Sequence, residues 1–76
     1  MRTVEQIRTI VAERSRRPVS DIEPYSRFKD DLGLNSLDVI EIVIDVQRQT
    51  GVAIPEKESG FESVGELVDY VVPRVR

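Results

Sequence analysis

The sequence predicts an all-α fold, a small antiparallel bundle of three main helices plus a short fourth. Three observations carry that expectation. Apolar residues recur at helical spacing in three separate segments, around residues 4–11, 37–46 and 64–71. Start and stop signals bracket these segments: Thr3 with Gln6 and Ser63 with Glu66 have capping-box form, and Gly51 and Pro73 are helix stops. No repeat, low-complexity tract or credible β pairing competes with the helical reading.

At 76 residues the chain is one expected domain, 1–76, near the size where a single core suffices without a staple. Cys and His are both absent, which removes disulfides, thiolate and imidazole chemistry and the usual zinc ligands. Carboxylates alone could still catalyse, but so small a domain has little room for a deep pocket, and a non-enzyme is expected. No apolar run approaches the roughly 20 residues of a membrane span. The first residues also lack an apolar signal segment, so a cytoplasmic protein is the expectation. The net charge of −3 is unevenly spread. Residues 1–29 carry seven basic and four acidic side chains, whereas residues 30–69 carry two basic and ten acidic. An acidic middle repels nucleic acid and favours partners with basic patches.

The first helix is expected over residues 4–15, with Val4, Ile7, Ile10 and Val11 inward and Arg16, Arg17 and Pro18 ending it. Its basic residues read as a mixed-charge surface or as a partner or nucleic-acid contact; those near its C-terminus also complement the helix dipole. Residues 16–35 form a connection longer than compact domains usually contain, so it must pack through its own side chains. Val19, Ile22, Tyr25, Phe28 and Leu32 are the candidates, several of them expected inward with Phe28 as the anchor. A short turn is expected from Ser20 or Asp21, limited by Pro24.

The second helix is expected from Ser36 to about Thr50, stopped by Gly51. Leu37, Val39, Ile40, Ile42, Val43, Ile44 and Val46 sweep more than half its circumference, well beyond the face of somewhat more than about 100° that a surface helix needs. Such a helix is central to the bundle or buries its surplus against a ligand or partner. Its many β-branched residues are mediocre helix formers, so packing must hold it. Val52-Ala53-Ile54-Pro55 reads as an extended link, Glu56 to Ser59 as one loose turn cut by Gly60, and residues 64–71 as the last helix with Val64, Leu67, Val68 and Val71 buried.

Ser36 stands at the junction of loop and helix, where free amide N–H groups and the helix dipole favour an anion. A phosphate ester on that hydroxyl would sit well there; the alternative is that Ser36 only caps its own helix. The stretch Asp30-Asp31-Leu32-Gly33-Leu34-Asn35-Ser36-Leu37-Asp38, with Phe28 before it and Gly51 to Pro55 after, resembles the acyl carrier protein family. The family signature is Asp-Leu-Gly-x-Asp-Ser-Leu-Asp, and the resemblance extends over essentially the whole chain to Asp69-Tyr70-Val71. It implies an acyl-carrier-like bundle with 4′-phosphopantetheine in phosphodiester linkage on Ser36. It also implies acyl intermediates carried as thioesters for fatty-acid or specialised lipid or polyketide synthesis. An aminoacyl or peptidyl carrier of the same chemistry, or an unmodified interaction module, are the alternatives.

Carrier function needs partners: a phosphopantetheinyl transferase, and loading, synthase or acyltransferase enzymes with basic patches. Asp38, Glu41 and Asp45 share one helix face and, with Asn35 and Leu37 beside the attachment point, are the candidate partner contacts; otherwise the acids form a solvated stripe. Ile40, Ile44, Ile54 and Val68 are candidates to line an acyl cavity in the bundle interior, or else plain core. A monomer is expected. Two departures stand out: Asn35 occupies the position of the family's usual Asp, and Gln47, Arg48 and Gln49 replace a run of acids frequent in fatty-acid carriers. Both favour a specialised carrier. The region before the last helix is also one residue short and contains Gly60.

Overall fold

The computed structural model describes residues 2–75. Three α-helices are present among them: α1 (Arg2–Ser15), α2 (Ser36–Thr50) and α3 (Val64–Val71). Short 3-10 turns cover Val19–Asp21, Glu56–Glu58 and Val72–Arg74, and the second of these is the expected minor fourth helix. The all-α expectation is met, with one addition: Arg27 and Ser63 form an isolated antiparallel bridge that the sequence did not suggest.

α1 packs against both α2 and α3 through Ile7, Ile10 and Val11, all buried. Thr3 does not begin this helix. It lies inside it and is buried, because the helix already includes Arg2 and its Thr3–Ile7–Ile10 line faces the core. The helix ends as expected, but through an unusual residue: Arg16 adopts φ 58°, a left-handed conformation usually left to Gly.

The long connection is held from both sides. Ile22, Phe28, Leu32 and Leu34 are buried, with Phe28 only 1% exposed. Tyr25 departs from the expected inward series and is 77% exposed, since Pro24, Tyr25 and Ser26 turn the chain so that the Ser26 side chain goes inside instead. Ser26 Oγ accepts a hydrogen bond from the Glu23 amide at 3.0 Å, which satisfies that buried hydroxyl's acceptor. From the α1 side, the Arg8 guanidinium donates to the carbonyls of Ile22 at 3.0 Å and Val19 at 2.9 Å. From the α3 side, the Phe28 amide donates to the Glu62 carbonyl and the Val64 amide to the Ser26 carbonyl, each at 3.0 Å. The Gly65 amide donates to Pro24 O at 2.8 Å. Backbone groups that a loop would leave to water are thus paired across the fold.

The Ser63–Glu66 cap is half of the box expected. Ser63 Oγ accepts from the Glu66 amide at 3.3 Å, whereas the Glu66 carboxylate reaches the Glu62 amide at 3.4 Å instead of that of Ser63. α3 ends at Val71, as the stop at Pro73 predicts, and Pro73 itself sits in the 3-10 turn that follows.

Candidate functional site

The loop before α2 is wound so that its last residues present a hydroxyl. The Arg27 carbonyl accepts from the amides of Asp31 at 3.1 Å and Leu32 at 3.0 Å, and the Asp31 carboxylate accepts from the Arg27 amide at 2.8 Å. Gly33 then takes φ 67°, a left-handed conformation that lets the chain reverse and bury Leu32 and Leu34 on either side of it. Asn35 follows in an extended conformation and caps α2. Its side-chain oxygen accepts from the Asp38 amide at 2.9 Å, and the Asp38 carboxylate accepts from the Asn35 amide at 3.1 Å.

That reciprocal box decides the role of Ser36. The capping position belongs to Asn35, so Ser36 is the first residue of the helix proper and is exposed. Its hydroxyl makes no hydrogen bond with the described residues, and it lies where α2 offers unpaired amides and the positive end of its dipole.

Ser36 also lines a cleft of about 380 Å³. Phe28, Val39 and Ile40 face this space from the loop and α2, and Gly60 and Phe61 from the segment before α3. Its lining is mixed, since Arg27, Lys29, Asp30, Ser59 and Glu62 border it as well. Sequence reasoning missed Phe61, Arg27 and Lys29; the only signal for Phe61 was a lone aromatic in an otherwise polar stretch from Glu56 to Ser63.

The four residues expected to line an interior cavity do not share one space. Ile40 borders the cleft but is 52% exposed, Ile44 is 41% exposed, Ile54 is buried in the core and Val68 is half-buried. Leu37, at 62% exposed, continues the outward line of Ile40 and Ile44. The surplus apolar surface of α2 therefore divides: Val39, Ile42, Val43 and Val46 go into the core, and Leu37, Ile40 and Ile44 form an outer stripe at spacings of three and four.

Asp38, Glu41 and Asp45 run beside that stripe, all half-buried. Glu41 forms an ion pair with Arg14 of α1. Asp38 and Asp45 border an open polar depression shared with Arg14 and Arg16. The acids are thus partly complemented by the basic end of α1, a relationship invisible in their helical spacing.

A hydroxyl bonded to none of the described residues, exposed at a helix start and beside a cleft with an apolar portion, suits covalent attachment of an anionic ester bearing a long arm. Residues 5–71 match the family model described as the phosphopantetheine attachment site. The chain is 38% identical over 63 residues to an acyl carrier protein of Acidothermus cellulolyticus, spanning 82% of this chain and 75% of that protein. The chain belongs to the acyl carrier protein family. As a carrier and not an enzyme, it works with a covalently attached 4′-phosphopantetheine group, whose thiol holds acyl groups as thioesters. Among the described residues no helix is long and apolar enough to cross a membrane.

Proposed function

We propose that Ser36 is the attachment point of the phosphopantetheine arm and that residues 1–76 act as one monomeric, cytoplasmic carrier domain. The observation that carries this reading is the division of labour at the head of α2, where Asn35 caps the helix and the Ser36 hydroxyl has no partner among the described residues. The phosphodiester so formed keeps a negative charge, which the amides and dipole of α2 stabilise. With no His or Cys in the chain, the hydroxyl depends on a separate transferase to remove its proton as coenzyme A donates the arm and 3′,5′-ADP departs.

Partner enzymes, among them the transferase and the loading, synthase or acyltransferase enzymes, read the head and outer side of α2. Asn35 and Leu37 flank the attachment point, and Asp38, Glu41 and Asp45 supply charge for basic patches. The exposed Leu37–Ile40–Ile44 stripe beside those acids favours partners that pair an apolar contact with a cationic rim. Asn35, neutral where the family signature has Asp, and Gln47 to Gln49 favour a specialised partner set. Nucleic acid is not a partner of so acidic a surface.

The test is an intact mass after incubation with coenzyme A and a broad-specificity phosphopantetheinyl transferase. One phosphopantetheine adduct is expected on the wild type and none on Ser36→Ala. An unmodified wild type with several transferases, or an adduct that persists in Ser36→Ala, would sink the assignment.

A further inference from the structure

The cleft beside Ser36 has one wall that the carrier reading does not explain. Phe61 forms it, and its ring meets Tyr70 edge-on, with centroids 5.7 Å apart and planes at 63°. The Arg74 guanidinium lies over the Tyr70 ring, 3.8 Å from its centroid, and donates to the Tyr70 carbonyl at 2.7 Å. The Tyr70 hydroxyl donates to the Glu58 carboxylate at 3.2 Å. Contacts from Glu58, Phe61 and Arg74 converge on one residue, tying the strap of residues 58–61 to the end of α3. Edge-to-face rings and a cation over an aromatic face are both attractive geometries, so the strap is held closed rather than merely resting there.

Two residues that line the cleft, Phe28 and Val39, already belong to the packed core. Both are buried, as are Ile54, Leu67 and Val71, which belong to the same core cluster and do not line the cleft. Ile44, Ile54 and Val68 take no part in lining the space. The volume of about 380 Å³ sits near the small end of the range of about 300–1,000 Å³ usual for small-molecule pockets. Because the cleft starts at Ser36, an arm lying in it uses much of that space before its thioester is reached.

We infer that Phe61, positioned by Tyr70 and Arg74, is a specificity-determining residue that closes the cleft toward the bundle interior, so that this carrier shelters short acyl groups and not long ones. The inference rests on Ser36 as the attachment point. A longer chain that passes Phe61 must drive its ring off Tyr70 and shift the strap, which forfeits those contacts.

The experiment loads butyryl- and octanoyl-phosphopantetheine from the matching acyl coenzyme A onto wild type, Phe61→Ala, Phe61→Val and Arg74→Ala, with intact mass confirming each adduct. The thermal midpoint of each acyl form is then compared with that of the unacylated, arm-bearing form of the same variant, so a variant's own loss of stability cancels. In the wild type the octanoyl form is expected to gain no more than the butyryl form. In the variants octanoyl should gain about 4 °C or more over butyryl, a shift that a small domain shows for a modest stabilisation. A wild type that gains with chain length as the variants do would overturn the inference, as would variants with no length dependence. Absence of any adduct, scored by mass alone, would remove the attachment assignment and this inference with it.

Discussion

Asn35 and Asp38 cap the same helix for each other, each side chain accepting from the other's backbone amide, at 2.9 Å into Asn35 and 3.1 Å into Asp38. Losing the Asn35 side chain removes one half of this box. Asn35→Ala should cost about 1 kcal/mol, the usual value of such a cap, read as a lower urea midpoint with unchanged slope. Ser36→Ala, by contrast, removes a hydroxyl bonded to none of the described residues and should stay within about 0.5 kcal/mol of wild type. A Ser36→Ala loss matching that of Asn35→Ala would mean that the serine, not the asparagine, holds the helix start.

Arg8 joins α1 to the long connection, giving charge-assisted hydrogen bonds to two carbonyls three residues apart, those of Val19 and Ile22. Bonds to charged groups contribute about 1.5–3 kcal/mol, and Arg8→Ala should destabilise on that scale. Arg8→Lys should recover less than half, because an ammonium cannot reproduce the planar fork that spans both acceptors. Chemical denaturation of the three proteins side by side checks the ordering.

Gly65 sits where α3 meets the turn at Pro24. A Cβ there would lie 2.7 Å from the Pro24 carbonyl oxygen, a backbone atom with little freedom to move. Gly65→Ala should therefore cost about 1–3 kcal/mol by overpacking, despite alanine's better helix propensity. A thermal melt equal to or above that of wild type would show that the contact relaxes freely.

The pair between Glu41 and Arg14 is half-exposed on both sides, so its contribution should be small. Glu41→Gln should cost under about 1 kcal/mol, and less still in high salt. The same variant should slow association with a basic partner enzyme more than it slows dissociation, as expected for a charge that guides encounter. Stopped-flow mixing of the arm-bearing carrier with its transferase or synthase would separate the two rates.

Much of this protein is legible without coordinates. Helical spacing locates α2 and α3, Gly51 marks the end of α2, and Phe28 reads as the anchor of the long connection. These features were readable because they arise from neighbours a few residues apart, whose periodicity is written in the chain. The stretch through Ser36 also carries the resemblance to the acyl carrier protein family, because its signature is contiguous in the chain.

Tertiary structure decided what each face of those elements does. Only in the fold does Asn35 take the cap and release Ser36, Tyr25 turn outward while Ser26 turns in, and Glu41 meet Arg14. Periodicity counts apolar positions on α2, but it cannot assign Val43 to the core and Ile44 to the outside. That division depends on where α1 and the long connection lie, and Arg8, Gly65 and the Phe61–Tyr70 pair place their elements through contacts between distant segments. Local pattern specifies which segments coil; the burial they share once packed determines which side chains are left for a partner or a cargo.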